Sequence, residues 1–220
     1  TCALPIWSAM RLGGGCSPAT LAAAAAADST PRGASVLSCG CGPGAAAAAA
    51  LGSRMARMAG RNPNQISAQS ISLELPKNPK YGSPRCMGGV VGVMKTGVML
   101  FSALDAGGRD AGAWEVQDNC DAHPQMSGTY HYHSLSTCIK KVSVHHVIGW
   151  ALDGFPITGP QVHGSTNVLT TRNLDVCHGI TSKVKIAGEP VTTYHYVMTE
   201  DYPYSLSCFR GTPVTTGPVG

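Results

Sequence analysis

Apart from Trp7, the aromatic and imidazole side chains of this chain are confined to one part of it. All eight histidines, all seven tyrosines and all three phenylalanines lie between Tyr81 and Phe209. A hydrophobic core depends on large side chains of this kind, so only this part of the chain can build one. A chain of 220 residues is long enough for one or two domains. We therefore expect a single folded domain at residues 62–220.

The first 61 residues have a different composition. They contain two alanine runs, Ala22–Ala27 and Ala45–Ala50, together with glycine-rich pieces. Because such a segment has little apolar surface to bury, we expect residues 1–61 to be a low-complexity leader, disordered or weakly helical. We expect Thr1–Trp7 to come from cloning or sequence assembly and not from the native protein. A weak signal peptide starting at Met10 and a non-native leader are both compatible with the rest.

Charge and hydropathy exclude two classes of partner. The chain has a formal net charge of +4, but residues 62–220 carry eleven basic and eleven acidic side chains, so the excess lies in the leader. A neutral domain without a basic stripe is a poor match for phosphate backbones, and we expect no nucleic-acid partner. No run approaches the roughly 18 apolar residues of a membrane span, so none is expected.

Short segments rich in β-branched and aromatic residues, bounded by Gly, Pro, Asn or Asp, predict strands. Residues 88–105 predict a strand, a turn at Lys95–Gly97 and a second strand. The glycines there lack the spacing of a phosphate-binding loop, so no nucleotide cofactor is expected. Helix is limited to a turn or two within residues 103–116. The expected fold class is mainly β, with antiparallel, sandwich-like sheets, long ordered loops and disulfide bracing.

One order of motifs, Asp-x-Cys, then Tyr-His-Tyr, then Cys, occurs twice. This repetition indicates two related halves. The first copy consists of Asp118–Cys120, Tyr130–His133 and Cys138, and the second of Asp175–Cys177, Tyr194–Tyr196 and Cys208.

The four cysteines of this pattern predict two disulfides. Four cysteines allow three pairings. We favour Cys120 with Cys138 and Cys177 with Cys208, because each bridge then closes the loop of its own half, with about 3 kcal/mol of stabilisation through the unfolded state. Disulfides imply an oxidising compartment. None of these cysteines forms a C-x-x-C pair, which argues against a structural zinc ribbon.

The histidines of the YHYH stretch are candidate metal ligands. In a strand, alternate side chains share a face, so His131 and His133 lie on one face and Tyr130 and Tyr132 on the other. Two imidazoles about 7 Å apart along the strand can converge on one Cu or Zn ion. The alternative is that these side chains form a hydrogen-bonded core.

Four further residues are candidates around this pair. His123 and His195 are the next possible ligands. Asp118 and Asp153 are candidates for the outer shell, where a carboxylate fixes a histidine tautomer. A lone histidine in an aromatic strand is more often a core residue than a ligand, which is the competing interpretation of His195. For Asp153, in the sequence Asp-Gly-Phe-Pro, the competing interpretation is a structural turn.

The sequence argues against nucleophilic catalysis. It has no G-x-S-x-G nucleophile motif, and Cys120 is better explained as half of a disulfide than as a thiolate. A carboxylate hydrolase would need two of Asp118, Asp153 and Asp175 in one cleft.

Several motifs, in order, resemble the YHYH-domain proteins over about residues 87–213. They are DNCDAHP, YHYH, GWALDGFPITGP, LDVCHG and YHYVMTEDYPYSLSCFRGTP. The resemblance implies an extracellular or cell-envelope domain from a secreted precursor, with a poorly defined biochemical role. Two positions depart from the family pattern: Ala122 replaces an expected Gly, and Thr158 an expected Tyr.

The combined interpretation is a secreted or cell-envelope domain with a His-rich metal site. Copper is preferred to zinc because an extracellular His-x-His site without thiolate ligands suits Cu(II). The alternative is a non-catalytic extracellular module that binds another protein or a glycan, with the Tyr and His cluster as its core.

Overall fold

The computed structural model describes residues 62–139, 143–162 and 166–216. This part of the chain is mainly β, with little helix, as expected. None of its helices is long and apolar enough to span a membrane. The elements are β1 Val90–Met94, β2 Met99–Phe101, α1 Ala111–Trp114, β3 Ala122–Pro124, β4 Tyr130–Tyr132, β5 Val147–Ala151, β6 Pro156–Thr158, a 3-10 helix Thr171–Asn173, β7 Gly179–Ile186 and β8 Glu189–Val197.

All eight strands belong to one mixed sheet in the order β3-β4-β2-β1-β5-β6-β8-β7. Five of the neighbouring pairs are antiparallel, and the pairs β2–β4 and β6–β8 are parallel. The expected antiparallel pairing is therefore largely confirmed. The sandwich-like separation into more than one sheet is not found, because β1 and β5 pair with each other and join the two groups of strands.

The sheet consists of two matching halves, β1–β4 and β5–β8. Strand order and direction in one half repeat those of the other on either side of the β1–β5 pair. Even the irregularities match, since β1–β2 shifts register between Val90 and Gly92, and β5–β6 shifts between Val147 and Gly149. The repeat indicated by the cysteine and histidine motifs is thus a repeat of strand topology.

Two equivalent glycines allow the halves to approach each other. Gly92 lies opposite Ala151, and Gly149 lies opposite Met94. A Cβ at Gly92 would lie 2.7 Å from the Trp150 carbonyl oxygen, and one at Gly149 would lie 2.8 Å from the Val93 carbonyl oxygen. Because real Cβ atoms do not approach that closely, any larger residue at either position would push β1 and β5 apart.

The Asp-x-Cys motifs form the same loop in both halves. Asp118 accepts hydrogen bonds from the backbone of Cys120 and Ala122, and Asp175 accepts them from Cys177 and Gly179. Each loop leads directly into the outer strand of its half, β3 or β7. The disulfides join Cys120 to Cys138 and Cys177 to Cys208, which is the pairing that the motif order favours.

The hydrophobic core includes side chains from both halves, among them Leu100, Tyr132, Ile157 and Tyr196. His178 and His163 are flanked by glycines in predicted loops, a pattern that predicts exposed side chains. His178 is instead buried, because its Nδ1 lies 2.8 Å from the Val197 carbonyl oxygen and the segment packs onto β8. His163, also expected to be exposed, lies outside the described residues.

Candidate metal centre

Two strands of the first half bring three histidines together. β3 and β4 are antiparallel, and their register places His123 directly opposite His131. Side-chain alternation then carries His133, the residue after β4, to the same face as His131. Their ring nitrogens lie close enough together that this group could hold a metal ion.

Backbone carbonyls determine the tautomer of each imidazole. A carbonyl oxygen only accepts, so a ring nitrogen facing one must carry the proton. This applies to Nδ1 of all three histidines, which leaves each neutral ring with a lone pair on Nε2. The distances are 3.1 Å from His123 Nδ1 to Val116 O, 3.0 Å from His131 Nδ1 to Thr129 O, and 2.6 Å from His133 Nδ1 to Ser102 O.

The three Nε2 atoms and one carboxylate oxygen form a closed ring, which we call the acceptor ring. Nε2 of His131 lies 3.1 Å from Nε2 of His123 and 3.0 Å from Nε2 of His133. Oε2 of Glu115 closes the ring at 3.2 Å from Nε2 of His123 and 3.2 Å from Nε2 of His133. With each proton on Nδ1, all four atoms are acceptors facing one another, and a metal ion or an added proton would relieve their repulsion.

The acceptor ring has dimensions that suit a transition-metal ion. Metal–nitrogen bonds of about 2.0–2.1 Å place neighbouring ligand atoms roughly 2.9 Å apart in a square arrangement and roughly 3.3 Å apart in a tetrahedral one. The four separations in the acceptor ring, 3.0–3.2 Å, fall between these values. Imidazole and carboxylate ligands without thiolate suit both Cu(II) and Zn(II).

The site is closed on the histidine side and more open at the carboxylate. His123, His131 and His133 are buried, whereas 31% of the Glu115 side chain is exposed. Oε2 of Glu115 is nevertheless buried and has no hydrogen-bond donor within the described part of the chain. A buried carboxylate oxygen without a donor is costly, which again indicates a missing positive charge.

Electrostatics keep the ligands in the forms that bind metal. Burial and the neighbouring imidazoles together lower the pKa of His131 to about 4, against the opposing effects of the Thr129 carbonyl and Glu115, so this ring is neutral at physiological pH. Burial raises the pKa of Glu115, whereas positive charge at the neighbouring His123 and His133 rings, as an added proton or a metal ion would bring, holds the pKa well below its ordinary value. The carboxylate is therefore ionised.

Glu115 is a candidate ligand that the sequence motifs did not indicate. It follows α1, a short helix capped by the Asp110 side chain, and its own N–H bonds to the Ala111 carbonyl oxygen as the helix ends. No spacing rule relates it to the histidines, since it reaches them by packing of the α1 segment against the strands. The only local signal is a single glutamate between the apolar residues Trp114 and Val116.

His195, predicted as a further ligand, does not join the acceptor ring. It occupies the position in β8 that His131 occupies in β4, and it lies opposite Ile180 where His131 lies opposite His123. Its nitrogens contact hydroxyls instead, with Nδ1 2.9 Å from Thr158 Oγ1 and Nε2 2.8 Å from Ser182 Oγ. His195 therefore fits the alternative interpretation, in which it is a hydrogen-bonded core residue.

The two predicted outer-shell aspartates lie away from the imidazoles. Asp118 accepts a 2.6 Å hydrogen bond from Tyr130 OH, besides its bonds within the loop before β3. Asp153 is buried and accepts from Tyr196 OH at 2.6 Å and from the Gly211 backbone at 2.8 Å. Neither bonds a histidine, because backbone carbonyls already occupy the Nδ1 positions of the site.

One known protein family matches the first half of the sheet and its central strands. The model of the family described as YHYH protein matches residues 72–170, which include Glu115 and the three histidines. The match ends before the second disulfide and before His195. No curated protein and no solved structure matches the chain. The chain therefore carries a YHYH domain.

Proposed function

We propose that this chain is a metal-binding protein of the extracellular space or cell envelope, which holds one Cu or Zn ion through His123, His131, His133 and Glu115. The observation that carries the proposal is the acceptor ring. Three Nε2 lone pairs and a carboxylate oxygen converge within 3.0–3.2 Å of their neighbours, and each opposite ring nitrogen is bonded to a backbone carbonyl. A metal ion at its centre would offset the mutual repulsion of these lone pairs.

Binding rather than catalysis is the activity that this geometry supports. Catalytic zinc sites keep a coordination position open for water or substrate, whereas four protein ligands close a tetrahedral site. The acceptor ring supplies four protein atoms, and its three histidines are buried. Exposure at Glu115 gives the ion a route of entry and release from the carboxylate side.

The two disulfides support the proposed location, because structural disulfides persist in oxidising compartments. Contacts of the extended segment before β1 support a domain start near residue 62. Asn64 Nδ2 donates to the Pro124 carbonyl oxygen, and the Ser67 N–H donates to the Gly128 carbonyl oxygen. We therefore assign residues 62–220 to the domain and residues 1–61 to a leader.

Elemental analysis of the full chain, produced in an oxidising compartment, tests this proposal. We expect close to one Cu or Zn per chain, and less than a tenth of that in the double variant His131→Ala, His133→Ala. The matched control is His145→Ala, His146→Ala, which also removes two imidazoles but lies outside the acceptor ring and should keep the metal. Reconstitution with each metal under chelator competition identifies the preferred ion.

A second variant protects this test against misfolding of the first. Glu115→Gln keeps the size of the side chain and removes only its charge, so the fold should persist, as checked by circular dichroism and thermal unfolding. We expect at least a tenfold loss of metal affinity, since a charged ligand becomes a neutral one. A parent protein that stays metal-free after reconstitution, or unchanged affinity in Glu115→Gln, would refute the proposal.

A further inference from the structure

A second candidate site lies apart from the metal centre. A cavity of about 430 Å³ opens between the segments that follow β4 and β8. This volume falls within the range of roughly 300–1,000 Å³ that small-molecule sites occupy. The walls include Ser134, Ser136 and Thr137 from the first half and Thr199, Glu200 and Tyr204 from the second.

The position of the cavity follows from the duplicated sheet. β4 and β8 are equivalent strands, so the chain leaves the sheet at equivalent points after His133 and after Val197. The two exit segments face each other across the cavity, which thus has one wall from each half. Junctions between structural units are common places for ligand sites.

The chemistry of the walls limits the class of ligand. Hydroxyl groups predominate, joined by the amides of Gln117 and Gln161 and the carboxylates of Asp121 and Glu200. None of the described residues that line the cavity is a lysine, arginine or histidine. The described parts of the walls can donate to and accept from many hydroxyls, and their charged groups are carboxylates, which disfavour an anion.

Apolar side chains are the second chemical feature of the cavity walls. Leu135 and Ile139 also line the cavity, between the polar groups. A sugar ring presents both hydroxyls at its edge and C–H groups on its faces, so mixed walls of this kind suit it better than they suit a small polar ion. We propose that this cavity binds a neutral saccharide.

Internal hydrogen bonds hold the walls in place before any ligand arrives. Asp121 Oδ2 accepts from the Thr137 backbone at 2.8 Å, and Tyr204 OH donates to Asp110 Oδ2 at 3.0 Å. The Tyr204 oxygen therefore keeps its acceptor capacity for a ligand hydroxyl. A preformed wall reduces the ordering entropy that binding costs, which matters for a small ligand with few contacts.

Saturation-transfer NMR and isothermal titration calorimetry on the full chain test the proposal. The neutral probes are glucose, galactose, mannose, N-acetylglucosamine, cellobiose, maltose, lactose and chitobiose. Glucuronate and spermidine serve as the anionic and cationic probes. We expect saturable binding of at least one neutral sugar, with weaker binding of glucuronate than of glucose.

Two wall variants locate the binding. Gln161→Leu and Glu200→Gln change exposed side chains and should leave thermal unfolding unchanged. Gln161→Leu should weaken sugar binding about tenfold, because a ligand hydroxyl loses a hydrogen-bond partner. Glu200→Gln should weaken it less, because a neutral acceptor replaces a charged one. Gln65→Leu and Glu189→Gln make the same changes at exposed positions that do not line the cavity, and should leave the affinity unchanged.

Three outcomes would overturn the proposal. The first is the absence of saturable binding by every neutral sugar of the panel. The second is sugar binding that neither wall variant weakens, which would place the sugar elsewhere on the chain. The third is binding of spermidine alone with loss in Glu200→Gln, which would make the cavity a site for cations.

Discussion

His131 and His195 occupy equivalent positions in the two halves of one sheet, yet His131 faces two other imidazoles and His195 faces two hydroxyls. The difference arises at two neighbouring positions. Ile180 stands in β7 where His123 stands in β3, and Val197 ends β8 where His133 follows β4. The same backbone thus supports a candidate metal centre in one half and a hydrogen-bonded core in the other.

Replacing His195 should affect stability and leave metal binding intact. His195 is fully buried, so His195→Ala removes packing and leaves the hydroxyls of Thr158 and Ser182 without their partner. We expect a loss of about 3 kcal/mol in the free energy of unfolding, measured by urea denaturation. Metal content by elemental analysis should equal that of the parent. A folded His195→Ala protein without metal would show that the second half contributes to the site.

Stability should decrease as the pH falls below about 6.5. Burial lowers the pKa of both His178 and His195 to about 4, whereas an unfolded histidine titrates near 6.5. Between these values the unfolded chain binds more protons than the folded one, so the stability present at neutral pH is lost toward pH 4. Each histidine can contribute up to about 3 kcal/mol of this loss.

Urea denaturation at several pH values, with a chelator present, measures this dependence. His195→Gln should flatten the slope between pH 6.5 and pH 4.5. His146→Gln changes an exposed histidine and should leave the slope unchanged. An equal slope in His195→Gln and the parent would mean that this histidine does not take up its proton on unfolding.

The two disulfides should contribute similarly to stability but differently to metal binding. They close loops of 18 and 31 residues, and loss of either should cost about 3 kcal/mol. Only the Cys120–Cys138 bridge flanks β3 and β4, which carry the acceptor ring. Cys120→Ala, Cys138→Ala should therefore weaken metal binding, whereas Cys177→Ala, Cys208→Ala should not. Thermal unfolding and chelator competition on both double variants test this, and equal metal affinities would contradict it.

The hydrogen bond between Tyr196 and Asp153 should matter for folding alone. The Tyr196 hydroxyl donates to the buried Asp153 Oδ2 at 2.6 Å and accepts from the N–H of the half-buried Arg210 at 2.7 Å. Tyr196→Phe leaves both partners short of a bond and should cost about 2–3 kcal/mol. Tyr130→Phe removes the more exposed bond to Asp118 and should cost less than about 1 kcal/mol.

Metal content should be unchanged in both tyrosine variants. Loss of metal in a folded Tyr196→Phe protein would show that Asp153 supports the metal site after all. Equal stabilities of the two variants, measured by urea denaturation, would show that the buried bond contributes no more than the exposed one.

Much of the histidine cluster could be predicted from local rules, because His131 and His133 lie within one strand and alternation alone puts them on one face. The position of His123 opposite His131 follows once β3 and β4 form an antiparallel hairpin. Glu115 could not be predicted in this way, since its contact with His133 depends on how the segment after α1 packs. The exclusion of His195 depends on strand order, because β4 and β8 are separated by four strands of the sheet.

The β1–β5 pair has a consequence for how such a sheet could be assembled. Exchanging the two halves turns the Gly92–Ala151 pair into the Gly149–Met94 pair, so the register of β1 with β5 has twofold symmetry. A single half on its own would leave the edge of β1 unpaired, and two copies meeting across that edge would recreate the same register. The domain therefore has the architecture of a symmetric dimer whose subunits have become one continuous chain, which leaves one subunit able to lose its ligands while the other keeps them.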